Sequence, residues 1–523
     1  MKFLFKAIVL LLAAATPAFA ETKKGVSLDH VFEPISNFLT GFIFYKVHLF
    51  GNDWSLIVCL LISAGLFCTC YLGFINIRGF KHAVRLAKGD YIDDHAAGEV
   101  SHFGALCSAI SGTVGMSNIA GVPIAIMIGG PGAIFWMMFA AFIGMSAKFT
   151  ECTLATKYRT YKEDGTVKGG PMYYLSQGLA ARGMEGLGKF VGKFYAWGLV
   201  LGCLGIGNLF QSNQIYNQLK TMCNNEGAIM HLGWLVGLIG AVIVGIVIIG
   251  GMKRIASMAT RIVPVMVFTY LALVAMVLLL NGSFILPAIK LIIADAFTAK
   301  AAGGGIAAAM MIGFQRAAFS NECGLGTAAI AHSAVQTDEP VTEGFVSMIE
   351  PFIDTIVVQF ATALVVVTTM IAVPEYVNMG LQGMPMSSWA FERHFSFAVY
   401  PLTFAAILFG FTCAVSWAYY GLKAFEYIVG EDPKLGLAYN IFYCMVYWSG
   451  AMINLKYVVN IADALIFVVC IPNIIGLYIM APEVKEELNN YLARLNSGKI
   501  LSSREKRKLG ATKASKPAMA TSR

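Results

Sequence analysis

Charge is what this sequence has least of. Only 13% of its 523 residues are Asp, Glu, Lys or Arg, about half the ~25% usual in a soluble domain. A soluble chain of this length would need polar loops and amphipathic helices, and it has few of either. No phosphate-cradling GxxxxGK[ST] is present, which argues against ATP-driven transport by this chain. The eight histidines (His30, His48, His82, His95, His102, His231, His332 and His394) are scattered, mostly near loops. With no His/Glu metal cluster and no nucleophile motif, a membrane enzyme has nothing to work with, and no cofactor is expected. Repeated polar rings of the kind a channel filter needs are also missing. The 11 cysteines show no zinc-ligand spacing and mostly fall in apolar segments, with Cys223 in an outer loop. They read as packing residues and not as a disulfide framework.

What is abundant is apolar sequence. Hydrophobic residues make up 57% of the chain, and the mean hydropathy is +0.68. Apolar runs of about 20 residues recur along most of the length, the pattern of a multi-pass helical membrane protein. The net charge of +8 is carried by short loops and the tail, so it points to no nucleic-acid partner. "MKFLFKAIVLLLAAATPAFA" has Lys2 and Lys6, a short apolar core and Ala18-Phe19-Ala20, the layout of a signal peptide cleaved after Ala20.

About eleven spans follow, near 52–76, 101–128, 131–156, 194–219, 232–250, 261–280, 302–326, 345–372, 397–423, 436–454 and 459–481. Segment 283–299 reads as a short surface helix. Basic residues cluster after alternate spans, at Arg78–Lys88, Lys157–Lys168 and Lys253-Arg254, and again in the tail from Lys499. An external N-terminus and a cytoplasmic C-terminus put all of them in the cytoplasm. The expected layout is a signal peptide (1–20), an external segment (21–51), an extra transmembrane helix with its cytoplasmic loop (52–99), two five-helix repeats (100–280 and 281–481) and a cytoplasmic basic tail (482–523).

Backbone groups in hydrocarbon must be paired, so irregular backbone survives only where protein or a water-filled cavity covers it. Two spans have the composition for such a break. "SGTVGMSNIAG", Ser111 to Gly121, carries Gly112, Gly115 and Gly121 with Thr113, Ser117 and Asn118. "FQRAAFSNECGLGTAA", Phe314 to Ala329, carries Ser320-Asn321, Gly324 and Gly326. Small residues in one span usually mean close helix packing. Two interrupted spans at matching places in inverted halves point to a transporter site. Amides near Gly115, Met116 and Ser117 suit a carboxylate, and carbonyls near Ser111 and Val114 suit Na⁺. Among the charges in spans, Lys148 and Glu151 read as a local i,i+3 pair. Arg316 and Glu322 flank the second break, as an ion pair or as part of coupling.

"SGTVGMSNIAGVPIAIMIGGPGAIFWMMFAAFIGMSAKFTE", "GGPMYYL", "GNLFQSNQI", "FSNECGLGTAAIAH" and "FTCAVSWAYYG" follow one another over roughly residues 100 to 455. Together they resemble the alanine/glycine:cation symporter family. The resemblance implies an all-α polytopic protein with a leucine-transporter-like five-plus-five inverted repeat after one extra N-terminal helix. It implies Na⁺-coupled import of alanine or glycine by alternating access across a bacterial inner membrane, by a single chain acting as a monomer. The substrate would lie against Gly115, Met116, Ser117, Asn118 and Gln211, with Phe314, Ala318 and Trp417 around its side chain. Na⁺ would lie between the Ser111–Val114 backbone and Thr412 and Cys413. A proton-coupled carrier of another small amino acid, or a non-transporting sensor or channel on the same fold, is the alternative.

Four residues at three places depart from the family's usual pattern. "GTVGMSN" has Met116 and Ser117 where Thr and Gly are usual, Ala318 replaces a bulky aliphatic, and Cys413 replaces a Thr. Sulfur is a poor Na⁺ ligand, and the exchanges are expected to reshape the pocket.

Overall fold

In the computed structural model, residues 29–49, 52–91, 96–163, 165–249, 251–298, 305–502 and 505 are described. The expected signal peptide lies outside them. Helix α1 (Asp29–Ile43) and a hairpin of β1 (Lys46–Leu49) and β2 (Asn52–Ser55) lead into α2 (Leu56–Tyr71), the extra helix. The segment expected to be an external extension is therefore folded, and its Phe44 ring meets Phe467 edge-on at 5.5 Å.

The first half then holds α3 (His102–Thr113), α4 (Ser117–Gly129), α5 (Gly132–Lys157), α6 (Glu185–Met222), α7 (Gly233–Ile248) and α8 (Gly251–Leu280). A surface helix, α9 (Gly282–Ala296), bridges to the second half. That half holds α10 (Gly305–Asn321), α11 (Ala329–His332), α12 (Pro340–Ala372), α13 (Met384–Glu392), α14 (Ser396–Val429), α15 (Pro433–Gly450) and α16 (Leu455–Asn496).

Among the described residues, six of these helices are long and apolar enough to cross a membrane: α5, α6, α8, α12, α14 and α16. The pair α3 and α4 passes the same test together, bent by 50°. Helices α2 and α7 are shorter and apolar, and the other expected spans correspond to α10 and α15. The helix starts follow local chemistry. The Ser101 hydroxyl accepts the Gly104 amide at 3.1 Å to begin α3. Asp432 caps α15 ahead of Pro433, and Asn454 caps α16. Gly130, at φ +76°, ends α4.

Helices α7 and α8 present Ile239, Val242, Ile246, Phe268 and Leu279 outward. In water this belt would be unfavourable; against lipid tails it costs nothing. The interior is the more polar part. Buried there are Lys148, Glu151, Arg316, Glu322, Glu343, Glu350, Asp354 and Asp463.

Their pairing corrects one expectation. Lys148 and Glu151 do not form a local pair. Lys148 Nζ donates to Glu350 Oε1 on α12 at 3.1 Å, and Glu151 Oε1 accepts from Asn473 Nδ2 on α16 at 2.7 Å. Spacing of i,i+3 permits a pair but does not compel one, and a buried carboxylate on a facing helix needs the lysine more. Arg316 pairs with Asp463 on α16, which also accepts from Gln315 at 2.9 Å. The tail is not a separate element at its start. Helix α16 runs straight through Pro482 to Asn496, with Val484, Leu488 and Tyr491 buried.

Removing one partner of a buried ion pair typically costs about 3–5 kcal/mol, whereas an apolar replacement of both is near neutral. Asp463→Ala should therefore lower the melting temperature of the purified protein by several degrees. The double variant Arg316→Met, Asp463→Leu should recover most of the loss, read as the thermal midpoint in detergent.

Candidate functional site

The two Ser-Asn pairs meet. Ser117 Oγ, after the first break, lies 3.1 Å from Ser320 Oγ, before the second. The break in the first span starts at Val114, which leaves helical geometry at φ −77° and ψ +84°, and the chain resumes as a π-helical turn at Ser117–Gly121. π-turns tend to mark functional sites, and two more are present, at Gly205–Leu209 in α6 and Phe352–Gln359 in α12.

The glycines of the first break serve close approach. A Cβ on Gly115 would lie 3.0 Å from Cys413 Sγ and 3.1 Å from Gln211 Oε1, and one on Gly112 would lie 3.2 Å from Tyr420 Oη. The second break is built differently. Glu322, Gly324 and Gly326 all have positive φ, at 58°, 86° and 79°, so the backbone there turns through left-handed geometry.

Asp354 on α12 ties both breaks together. Its Oδ1 accepts from Asn118 Nδ2 at 2.7 Å and from Ser320 Oγ at 3.1 Å. Its Oδ2 accepts from the Thr355 hydroxyl at 2.8 Å, which in turn accepts from Asn321 Nδ2 at 3.0 Å. Asn118 Oδ1 takes the Gly115 amide at 3.0 Å and the Ser117 hydroxyl at 3.2 Å. Thr362 donates to the Asn118 carbonyl at 2.8 Å, and Ser387 of α13 donates to the Ile119 carbonyl at 2.5 Å. The result is a dense set of hydroxyls, carbonyls and carboxamides around one buried carboxylate.

The structure brings together most of the residues expected to hold substrate. The Gln211 carboxamide accepts the Met116 amide at 3.0 Å and donates to the Ile206 carbonyl at 2.9 Å, inside the π-turn of α6. Trp417 Nε1 and Cys413 Sγ both donate to the Gly112 carbonyl, each at 3.0 Å. A Cβ at Gly410 would meet the Met116 side chain at 3.4 Å, so that methionine leans on α14. Phe314 and Ala318 line a cavity of about 20 Å³ with Leu61, Gly65, Ile143 and Asn321, between α2, α5 and α10. Two members of the expected Na⁺ set carry hydroxyls bonded within the protein. Ser111 Oγ bonds Ser416 Oγ at 2.5 Å, and the Thr412 hydroxyl donates to the Leu408 carbonyl at 2.9 Å.

Asp354 and Glu350 were not among the expected site residues. The signal for them was a charge inside an apolar span, four residues apart on one helix face, which on its own marks a functional position. Their partners, on other helices, leave no trace in local sequence.

A pair of interrupted helices joined at a buried polar centre is the construction of a secondary transporter. The solved structure of MhsT in complex with L-phenylalanine has the same leucine-transporter-like fold. It matches at a TM-score of 0.52 and 13% identity, over 74% of this chain and 98% of that one.

The profile of the sodium:alanine symporter family matches residues 41–505, and the chain belongs to that family. The sodium/alanine symporter AgcS of Methanococcus maripaludis is 38% identical over 430 residues, 82% of this chain and 92% of that protein. The probable sodium/glutamine symporter GlnT of Bacillus subtilis is 32% identical over 459 residues, 86% of this chain and 92% of that one. The protein is a multi-pass, cation-coupled amino-acid symporter and not an enzyme.

The packing separates two glycines of the first break. A Cβ at Gly121 would meet nothing nearer than Ser117 Cβ at 3.6 Å. Gly115→Ala should weaken substrate binding by the purified protein at least severalfold, because the new methyl presses on Gln211 and Cys413. Gly121→Ala should bind substrate within about twofold of wild type and melt no lower, since helical Ala is favoured over Gly by about 0.5–1 kcal/mol.

Proposed function

We propose that this symporter imports a small neutral amino acid, alanine or glycine, driven by Na⁺ and by alternating access. The observation that carries the reading is the Asp354 carboxylate at the meeting point of the two breaks, bonded by the Asn118 amide nitrogen and by the hydroxyls of Ser320 and Thr355, with Ser117 Oγ beside Ser320. A hard cation prefers such oxygen donors, and a buried carboxylate needs a counter-charge. Around Ser111, Val114, Thr412 and Cys413 the donors are mixed, with a thiol already spent on a backbone carbonyl. The cation is better served beside Asp354.

The amino acid's carboxylate fits the amides of Gly115 and Met116, which are now held by Asn118 and Gln211. An incoming carboxylate would replace the Gln211 oxygen and free that carboxamide to bond the substrate. Met116 fills volume beside α14, which favours a substrate with a small side chain. The basic residues after α2 and α5 favour an external N-terminus and a cytoplasmic C-terminus.

Proteoliposomes holding the purified protein should accumulate labelled alanine or glycine against a gradient when Na⁺ is higher outside. The absence of any Na⁺-driven accumulation across a panel of small neutral amino acids would sink the proposal. Asp354→Asn keeps the size of the side chain but removes the charge and one acceptor oxygen, and should raise the half-saturating Na⁺ concentration at least tenfold.

A further inference from the structure

A second buried polar system starts away from the substrate and cation groups, at the beginning of α3. His102 at the start of α3 bonds through Nδ1 to Glu343 Oε2 at 2.6 Å. The other oxygen of Glu343 bonds His332 Nδ1, on α11, also at 2.6 Å. His332 Nε2 faces Glu350 Oε2 at 3.6 Å, and Glu350 Oε1 takes Lys148 Nζ at 3.1 Å. Five side chains from four helical segments thus form one row. The side chains of Lys148, His332, Glu343 and Glu350 are wholly buried, and His102, at 8% exposure, is the end nearest solvent.

The row is not a metal centre. Among the described residues no three His, Cys, Asp or Glu side chains are arranged to hold a metal ion. Nor is it a saturated structural network, because His332 Nε2 and Glu350 Oε2 face one another with no hydrogen-bond partner. Alternating imidazole and carboxylate groups at 2.6 Å can each accept a proton on one side and release one on the other. The far end reaches the cation centre: Glu350 sits one helical turn before Asp354 on α12.

We propose that His102, Glu343, His332 and Glu350 form a proton-binding relay, and that the proton it holds tunes the cation affinity of Asp354. This rests on the placement of the cation beside Asp354. A proton from solvent bonds the imidazole of His102, and the proton between His102 and Glu343 passes to the carboxylate. Glu343 passes one to His332, and His332 passes one to Glu350. At each transfer one N–H or O–H bond breaks as another forms, so no other reactant is needed. The last transfer, across 3.6 Å, requires a small side-chain shift or a bridging water.

The groups facing the relay set its charge. Arg159 acts on Glu343 from the loop after α5. Lys148 of α5 contacts Glu350, and Glu151 and Cys152 of α5, Glu322 and Cys323 of the second break and Tyr420 of α14 lie within reach of its charge. Lys148 is the one obligate cation among them at Glu350. Added protons make the relay more positive, which weakens a cation held one turn away.

The test reads cation binding without transport. For purified protein in detergent, the Na⁺ concentration giving half of the Na⁺-induced thermal shift is measured between pH 5.5 and 8.5. It is expected to rise at least fivefold toward low pH. Glu343→Gln, which can neither take nor pass a proton, should flatten that dependence, and Glu343→Asp should keep it. If Glu343→Gln does not give a monodisperse protein, His102→Gln at the exposed end should flatten the dependence in its place. A pH-independent Na⁺ effect in the wild type, or a Gln variant as pH-dependent as the wild type, would overturn the relay. Uptake in proteoliposomes is scored separately. Failed uptake with a pH-dependent Na⁺ shift overturns the symport reading and leaves the relay standing.

Discussion

The contact on which this structure depends is the carboxylate of Asp354 between Asn118 and Ser320. Each of those residues sits where a helix loses its regular hydrogen bonds. A broken helix inside a membrane exposes backbone groups that lipid cannot satisfy, each at a cost of several kcal/mol. Two breaks placed against one buried carboxylate satisfy each other's side chains, and side chains of Asn118 and Gln211 take the Gly115 and Met116 amides. The π-turns in α4, α6 and α12 belong to the same arrangement. An extra residue in each turn redirects a carbonyl, as at Asn118, where Thr362 takes the freed oxygen.

The buried charges are the second constraint. Lys148 with Glu350, Arg316 with Asp463, and His102 with Glu343 join helices far apart in sequence, and His332 joins neighbouring segments on the same Glu343. In a bilayer the apolar faces provide little preference for one helix partner over another. Ion pairs and hydrogen bonds of this kind are direction-dependent, so they select which helices lie together. They also leave the carrier with groups whose charge can change, in an interior where a change of charge is felt over several ångströms.

The resemblance to a known family and the structure agree on architecture, and the structure places Gly115, Met116, Ser117, Asn118, Gln211 and Trp417 around the first break. The departures from the family's pattern take on geometry here. Met116 leans on α14, Ala318 borders a small cavity beside the extra helix, and Cys413 donates to a carbonyl instead of offering an oxygen. The histidines show the opposite case. As scattered single residues they carried no message, yet two of the eight, 230 positions apart, hold the same carboxylate.

The sequence by itself determined what is periodic or compositional: the membrane-spanning helices, the scarcity of charge, the basic loops and the two interrupted spans. Those follow from hydrophobicity over about 20 residues and from small polar residues within it, which are local properties. Only the tertiary structure decided which charges pair, why Lys148 ignores Glu151, and that Asp354 stands between the breaks. Pairing is a matter of which helix faces meet, and a one-dimensional chain does not state that. The glycines divide in the same way. Their presence marked the weak places, but only the packed structure distinguishes Gly115, pressed against Cys413 and Gln211, from Gly121, which has room for a methyl group.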